Sequence, residues 1–279
     1  MKTKKPRNIN NILKKRTLKM KLNYYGHSNE ILFGILYLMT QYPKKICITL
    51  PKRFKGEPSI SLKWICKRKK YIIEYPRNKS EFINSIKSCK KQFVVVPLFI
   101  FFSCNNTTGH ANCLIFDTHN KTIERFEPYG KIINKVLDMK EFQISKKFDK
   151  SFSNMIKQNK LPYKYKPVES FCPTINVQYK EENNINSGKT IALKDDLPGF
   201  CSLWIIWYIN IRLKYNNLDA FELLYKSMEL LNKNKKSTRS FIRKYAQFLQ
   251  TKMKQLHKKY KTNDLDTINE HLLQIIYNK

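Results

Sequence analysis

The sequence predicts an α+β fold, in which a central mixed β-sheet packs on a buried helix. Short β-like runs dominate the first half of the 279-residue chain. The second half contains the nearly continuous apolar segment 200–211, which is typical of a helix buried in a core. Amphipathic helical patterns follow it. This order of strands and then helices is typical of an α+β domain that carries a helical C-terminal extension.

Helices and strands alternate in the first hundred residues. Helical spacing of apolar residues predicts a helix over 27–39 that Ser28 caps. A second helix is expected to begin at a Ser80 cap, because Glu81 follows in its first turn. Short β-rich runs between turn residues predict three strands, over 46–50, 59–66 and 71–75.

One strand is expected at the centre of the sheet. The run 93–102 is apolar at almost every position, as in a strand that is buried on both faces. Pro97 interrupts this run, and because proline lacks an N–H, a bulge or an edge position is expected there.

The segment 110–130 is predicted to form a β-hairpin with a polar turn after Asp117. A two-residue loop would set Asp117 opposite Asn120, and the same count sets His110 opposite Glu127. Directly opposed residues share one face of a sheet, with Cβ atoms about 4.5–5.5 Å apart. We therefore expect an imidazole and a carboxylate to meet at the open end of the hairpin.

The rest of the chain is predicted to be mainly helical. A mixed helical region over 131–159, a strand over 174–179 and a polar loop over 181–196 precede the buried helix. Three amphipathic helices are expected after it, over 218–231, 238–259 and 266–277. The chain divides into a basic flexible arm (1–22), a core (23–217) and a helical C-terminal extension packed on that core (218–279).

The chain is strongly basic, with a net charge of +33 from 54 Lys or Arg and 21 Asp or Glu. Such a charge favours a polyanionic partner, most plainly nucleic acid. An excess of Lys is also expected of an AT-rich genome, so both interpretations stay open. A hydrophobic content of 42% and an aromatic content of 13% indicate a folded protein despite the charge.

The seven cysteines have no repeated spacing, and the N-terminus lacks the hydrophobic region of a signal peptide. Free thiols in a reducing compartment are therefore expected. The longest apolar runs, 93–102 and 203–209, are shorter than the roughly 20 residues that span a bilayer. These features predict an intracellular protein without a membrane span.

Cys201 follows Gly199 in the first turn of the predicted buried helix. A helix N-terminus stabilises a thiolate, and its N–H groups can hold an oxyanion. The alternative is a small buried cysteine that packs beside Trp204, which is the common role of a free cysteine. The upstream pair of His110 and Glu127 favours the nucleophile.

These features together resemble a known protease family. The spacing of His110 and Glu127, the segment Phe-Glu-Pro-Tyr-Gly at 126–130 and a cysteine that opens an apolar helix resemble the adenovirus-type endopeptidase (adenain). More broadly, they resemble the clan of SUMO- and ubiquitin-like-modifier proteases. The resemblance covers mainly 93–211. It implies a papain-like or adenain-like cysteine protease core with a Cys-His-Glu triad, matched here by Cys201, His110 and Glu127.

One family feature is not matched. The family carries a glutamine shortly before the cysteine, which donates to the oxyanion, and this chain has Lys194 and Asp195 there. The backbone N–H of Asp195 or Asp196 and the side chain of Gln178 are the candidates for that role. Because this glutamine is missing, a family member without catalytic activity remains an alternative.

The resemblance implies a cysteine endopeptidase that hydrolyses amide bonds through an acyl-thioester and processes viral structural precursor proteins. It requires no cofactor, although DNA is expected to stimulate it, and it would act in the host cytoplasm or virus factory and be packaged in the virion. A deubiquitinase or ubiquitin-like-modifier isopeptidase is one alternative. A catalytically inactive, basic nucleic-acid-binding virion protein is the other.

Other residues are weaker candidates. Asn112 or Asp117 could replace Glu127, but Asp117 is expected too far away, at the turn. Cys104, His110 and Cys113 match no common zinc spacing, so no metal site is predicted. The remaining histidines are expected at the surface, and two tryptophans are expected as core anchors. These histidines are His27, His119, His257 and His271, and the tryptophans are Trp204 and Trp207.

Overall fold

A computed structural model describes residues 28–49, 59–65, 70–101, 109–131, 144–183, 200–233 and 237–278. Its strands are β1 (Ile46–Ile48), β2 (Ile60–Ile65), β3 (Lys70–Glu74), β4 (Phe93–Phe101), β5 (Gly109–Asp117), β6 (Thr122–Phe126) and β7 (Lys164–Lys166). Its helices are α1 (Ser28–Gln41), α2 (Lys79–Ser88), α3 (Ile144–Gln158), α4 (Val168–Phe171), α5 (Val177–Asn183), α6 (Cys201–Lys214), α7 (Ala220–Lys233), α8 (Thr238–Tyr260) and α9 (Leu265–Tyr277). The predicted basic arm, 1–22, lies outside the described residues.

The seven strands form one mixed sheet in the order β3-β2-β4-β5-β6-β7, with β1 also beside β4. Helices pack on both faces. The sheet has three parallel and three antiparallel strand pairs, which is consistent with the predicted α+β class. Strand β4 is buried almost throughout, as its apolar sequence predicts.

Pro97 occupies a gap in the pairing of β4. Along one edge, β4 pairs continuously with β5, and Pro97 stays in register with Cys113. Along the other edge, β1 pairs with 93–95 and β2 pairs with 98–101. Pro97 falls between these two partners, so its missing N–H interrupts neither ladder. The expected bulge is therefore unnecessary.

The alternating side chains of β4 supply two hydrophobic cores. Phe93 and Val95 face one core, which contains most of the apolar residues of α1 and α6. Val94 and Val96 face the other core, which α2 and α3 cover. The period-two alternation of a strand explains this division.

Helix α6 is buried on nearly all sides, as the uniform apolar pattern predicts. Trp204 and Trp207 are core residues, with their rings 5.3 Å apart. The three C-terminal helices pack in the same core through residues such as Leu224, Ile242 and Leu272. The division of the chain at 217 and 218 stays a prediction.

Two local predictions are wrong. The segment 174–179, predicted to be a strand, contributes instead to helix α5. The cap of α2 is Asn78, whose side chain accepts a hydrogen bond from the Glu81 N–H at 2.9 Å. Ser80 lies inside that helix because the extended backbone ends at Asn78.

Cys47 and Cys89 are joined by a disulfide, which corrects the expectation of free thiols for these two residues. Their sequence separation of 42 residues offered no recognisable spacing. The pairing depends on the docking of β1 beside β4, which brings Cys47 next to the end of α2. Among the described residues, none of the helices has both the length and the apolar character needed to cross a membrane.

Candidate active site

The hairpin closes through a longer turn than the one predicted. Asp117 pairs with Thr122, so the loop has four residues and the predicted register is wrong. Asp117 Oδ1 accepts hydrogen bonds from the N–H groups of His119 and Asn120, both at 3.0 Å. This side-chain capping of the turn stabilises the longer loop.

His110 and Glu127 nevertheless meet, as expected. The Nε2 atom of His110 lies 2.6 Å from Oε1 of Glu127. A shift of two residues in register preserves the alternation of side chains, so the two residues stay on one face. Strand β6 ends at Phe126, and the chain then turns toward His110. Both side chains are buried, with 4% of His110 and 0% of Glu127 exposed.

The turn after β6 is fixed by contacts that the sequence does not reveal. Glu127 Oε1 also accepts a hydrogen bond from the Tyr129 N–H at 2.9 Å. The Asn176 side chain donates to the Glu127 carbonyl at 2.7 Å, and the Asn176 N–H donates to the Tyr129 carbonyl at 3.0 Å. Asn176 is therefore a positioning residue. No local pattern predicts it, because it lies far along the chain, just before α5.

Gly130 completes this turn with φ at +85°. A Cβ atom here would lie 2.3 Å from the Pro173 carbonyl oxygen. Glycine is therefore required both by the backbone conformation and by the close approach.

Cys201 is the first residue of α6, as predicted. The preceding residue, Phe200, has no side chain that can accept a hydrogen bond from the start of the helix. The N–H groups in the first turn of α6 therefore lie beside the thiol without a side-chain cap. Cys201 is half-buried, whereas Cys113 and Cys172 are fully buried. The Cys201 thiol contacts the His110 ring, the backbone of Ala111 and the side chain of Ser202.

The pKa values of the two reactive groups shift in opposite directions. Burial opposes the imidazolium of His110, but the Glu127 carboxylate and the Cys201 thiolate outweigh it and raise its pKa from 6.5 to about 10. Burial also opposes the Cys201 thiolate, but hydrogen bonds from His110, Ala111 and Ser202 lower its pKa below 9.0. The arrangement thus favours an imidazolium–thiolate ion pair.

The other buried thiols behave in the opposite way. Burial raises the pKa of Cys113, and the nearby carboxylates of Glu124 and Glu127 raise it further. Burial likewise raises the pKa of Cys172. Among the thiols for which the structure gives a pKa direction, only Cys201 has a lowered pKa.

The hydrogen bond to Glu127 assigns the two ring nitrogens of His110. Since Nε2 faces the carboxylate, Nδ1 is the nitrogen left for Cys201. A carboxylate on the far side of the ring holds the ring in the orientation that turns the other nitrogen to Cys201.

Of the three candidates for the oxyanion donor, only Gln178 lies within the described residues. Gln178 lies on helix α5, not on the predicted strand; it is buried, and its N–H donates to the Pro128 carbonyl at 3.0 Å. Asp195 and Asp196 lie outside the described residues. The oxyanion donor therefore stays a prediction.

The two alternatives to Glu127 are engaged elsewhere. Arg125 donates to Asn112 Oδ1 from Nε at 3.0 Å and from Nη2 at 2.9 Å. Asp117 lies at the hairpin turn, as expected, and contacts Arg212 at 3.2 Å. Both side chains stabilise the core around the hairpin.

The remaining histidines of the described chain make no contact with this centre that the structure defines. His119 is exposed, His257 Nδ1 lies 2.8 Å from the Thr262 carbonyl, and His271 stacks on Tyr260. His27 and Cys104 lie outside the described residues. Within the described ranges, no group of three or more His, Cys, Asp or Glu side chains is placed to hold a metal ion.

No protein-family model matches the sequence. A protein of Acanthamoeba polyphaga mimivirus that is named as a putative ankyrin repeat protein is 27% identical over an alignment of 246 residues, and the match covers 80% of this chain and 31% of that protein. This chain therefore spans about a third of the length of that relative.

Similar solved structures come from Chlamydia trachomatis. The effector Cdu1 bound to ubiquitin is 12% identical with a TM-score of 0.38, over 82% of this chain and 95% of that chain. The effector ChlaDUB1 is 11% identical with a TM-score of 0.39, over 90% of this chain and 96% of that chain. Similarity at this level concerns the fold and supports no statement about activity.

Proposed function

We propose that this protein is a cysteine peptidase with Cys201 as nucleophile, His110 as general base and acid, and Glu127 as the residue that orients His110. One observation carries the proposal: the His110 ring contacts the Glu127 carboxylate on one side and the Cys201 thiol on the other. A thiolate at a helix N-terminus beside an imidazolium is the activated nucleophile that acyl transfer requires.

The proposed reaction proceeds in two steps. The Cys201 thiolate attacks the carbonyl carbon of an amide bond, and the Nδ1–H of His110 gives its proton to the leaving amine. The resulting acyl-thioester is hydrolysed by a water molecule, from which His110 takes a proton. The N–H groups in the first turn of α6 lie beside the thiol and are suited to stabilise the oxyanion.

The substrates that we propose are structural precursor proteins of a virus, cleaved in the host cytoplasm and within the virion. Similarity to a mimivirus protein supports a viral setting. Removal of ubiquitin or a ubiquitin-like modifier is the alternative use of the same centre. His110 is 4% exposed and Tyr129, beside its ring, is 7% exposed, so the proposed centre is enclosed.

The test uses the full chain and its Cys201→Ala variant. The parent should react with iodoacetamide at Cys201, located by peptide mass spectrometry, and should cleave either precursor-derived peptides or ubiquitin-like activity probes. Cys201→Ala should lose both cleavage and this labelling. Cleavage that survives Cys201→Ala would refute the proposal, and the panel of probes separates the two substrate classes.

A second candidate function, binding of nucleic acid, is favoured by the composition of α8. This helix contains no Asp or Glu. Its exposed face carries Lys244, Lys254, Lys258 and Lys259, which lie on one side of the helix at helical spacing. A helix face with several exposed lysines and no carboxylate suits the phosphate backbone of nucleic acid.

Salt-dependent binding tests this second function. A Lys254→Ala/Lys258→Ala variant should bind a double-stranded DNA probe more weakly and with a smaller slope of log K against log salt, by about one for each lost phosphate contact. Lys226→Ala is the matched control, because Lys226 pairs with Glu222 at 2.6 Å on α7. An unchanged slope in the double variant would exclude α8 as the binding face.

A further inference from the structure

A polar pocket lies at the end of the sheet that carries His110. It has a volume of about 420 Å³. Its walls come from the start of β2, the segment after β3 and the last residue of β4; the lining residues are Ser59, Ser61, Lys63, Glu74, Tyr75, Pro76, Arg77 and Phe101.

The register of the sheet places this pocket on the same face as Cys201. Ser61 pairs with Phe99, and Phe99 pairs with Ala111, so all three point to one face. Ala111 belongs to the core on the α6 side, and its backbone contacts the Cys201 thiol. Cys201 packs against the same core, so the pocket and the proposed nucleophile lie on the same side of the sheet.

The next set of paired residues links the pocket to the start of β5, where His110 lies. Lys63 pairs with Phe101, and Phe101 pairs with Gly109, the residue before His110. A Cβ atom at Gly109 would lie 3.1 Å from the Phe101 ring. The half-buried ring of Phe101 thus lies close to Gly109 and lines the pocket.

The distance between the pocket and Cys201 can be spanned by one extended peptide. Two strand spacings separate β2 from β5, which is about 10 Å. An extended chain advances about 3.3 Å per residue. A substrate that crosses the strands from Cys201 would therefore place a side chain in the pocket about three residues from the cleaved bond.

The charges in the pocket favour an anionic side chain. Two lining residues, Lys63 and Arg77, are cationic, and one, Glu74, is anionic. The Glu74 carboxylate lies 2.6 Å from the Lys63 ammonium. Arg77 also contacts Glu81, at 2.7 Å. Both pairs are partly exposed, so they hold their cations weakly and can exchange with a ligand carboxylate. The net charge of the whole chain, +33, favours the same sign of ligand.

We propose that this pocket is a substrate subsite that binds an Asp or Glu side chain about three residues from the cleaved bond, through Lys63, Arg77 and the hydroxyls of Ser59 and Ser61. This inference rests on the proposed peptidase function. It defines a preference for acidic substrate segments, which the triad alone cannot supply.

Cleavage profiling tests the subsite. The full chain is incubated with a proteome-derived peptide library, and the new termini are read by mass spectrometry. Asp and Glu should be enriched about three residues from the cleaved bond, on one side of it. Lys63→Ala should lose this enrichment and raise KM about fivefold for a Glu peptide relative to its Gln counterpart. Lys226→Ala, which breaks a comparable surface pair, should keep the enrichment.

The Glu74→Gln variant determines the sign of the charge preference. It leaves both cations in place, so acidic peptides should bind more tightly. If the pocket instead binds basic side chains, basic peptides should bind more weakly to Glu74→Gln and more tightly to Lys63→Ala than to the parent. In every subsite variant, the iodoacetamide reaction rate of Cys201 should equal that of the parent, because the reactive centre is intact.

Binding to Cys201→Ala separates failure of the subsite from failure of the peptidase function. Fluorescein-labelled octapeptides with one Glu or one Gln are titrated at physiological salt. A Glu preference that Lys63→Ala removes supports the pocket even if the parent cleaves nothing. Equal affinity of the Glu and Gln peptides, or a Glu preference that Lys63→Ala leaves intact, overturns the subsite whatever the outcome of the cleavage assay.

Discussion

The Nε2 atom of His110 lies 2.6 Å from Oε1 of Glu127, although the ladder between β5 and β6 does not pair the two residues. The carboxylate is positioned by the turn that follows β6, which Asn176 and Gly130 support. The orientation of the imidazole therefore depends on a segment outside the hairpin, and substitutions in that segment should affect activity without contact to substrate.

Replacement of Glu127 by Gln tests the orienting role. The amide keeps the size of the side chain but removes the charge that stabilises the imidazolium. We expect kcat/KM to fall by about 10²–10⁴-fold, as for loss of the third member of a triad. Hydrolysis of the best peptide found by profiling measures the effect. A Glu222→Gln variant, which removes a carboxylate at the surface of α7, should retain full activity.

The pH profile of the parent follows from the two shifted pKa values. The Cys201 pKa is lowered, so the thiolate is present above that pKa and is lost as pH falls through it. The His110 pKa is about 10, so the imidazolium is present below that pH and is lost as pH rises through it. Alkylation of Cys201 by iodoacetamide should remain fast at neutral pH, and hydrolysis should decline only near pH 10.

Glu127→Gln should move the alkaline limb of hydrolysis to lower pH, because the carboxylate that raises the His110 pKa is gone. An alkylation profile in the parent that rises with an ordinary thiol pKa of 9.0 would contradict the ion pair.

Asn176→Ala tests how the turn is held. The variant loses the hydrogen bond to the Glu127 carbonyl, which keeps the Gly130 N–H as a donor. It also removes the Asn176 Oδ1 acceptor of the buried Val177 N–H, and an unpaired buried group costs about 1–3 kcal/mol. We expect kcat to fall about tenfold or more, while the alkylation rate of Cys201 changes less. A variant with reduced stability but unchanged kcat would show that Asn176 is structural only.

Much of the fold could be predicted because it depends on local patterns. The continuous apolar runs of β4 and α6 identify buried elements directly, and the Ser and Asp caps of α8 and α9 follow common helix signals. Segment 174–179 was misjudged because its short β-like pattern is also compatible with a helix. Its helical form is supported by tertiary contacts, such as that of the Gln178 N–H with the Pro128 carbonyl.

The contact between His110 and Glu127 could be predicted, but the geometry of the turn that makes it could not. Counting along the hairpin brought His110 and Glu127 together with the wrong register, because a two-residue error preserves the face of each side chain. Asn176 could not be found, since a hydrogen bond across 49 residues leaves no local pattern. The Cys47–Cys89 disulfide was missed for the same reason.

Gly130→Ala should destabilise the fold and the site together. The new Cβ would lie 2.3 Å from the Pro173 carbonyl oxygen, and the backbone has φ at +85°. We expect a loss of at least about 2 kcal/mol, because both the clash and the left-handed backbone disfavour alanine. Thermal unfolding measures this loss. A melting temperature equal to that of the parent would show that the turn rearranges without cost.

Arg212 forms two buried ion pairs behind the hairpin. Arg212 Nε lies 2.9 Å from Glu124 and its Nη2 lies 3.2 Å from Asp117, while the Tyr208 hydroxyl donates to Glu124 at 3.0 Å. Arg212→Met should cost about 3–5 kcal/mol, because it leaves buried carboxylates without their cation. By comparison, Lys226→Ala breaks an exposed pair and should cost less than about 1 kcal/mol.

The stability deficit of Arg212→Met should also depend on pH. Burial already raises the pKa of Glu124, and Arg212 opposes that effect. Without Arg212, the Glu124 pKa rises further, so the folded variant still holds a proton at a pH at which the unfolded chain has already released it. Since a raised carboxyl pKa adds stability as pH falls, urea unfolding should find a smaller deficit relative to the parent at pH 5 than at pH 8. A deficit of equal size at both values would show that lost packing, and not the buried charge, is what Arg212→Met removes.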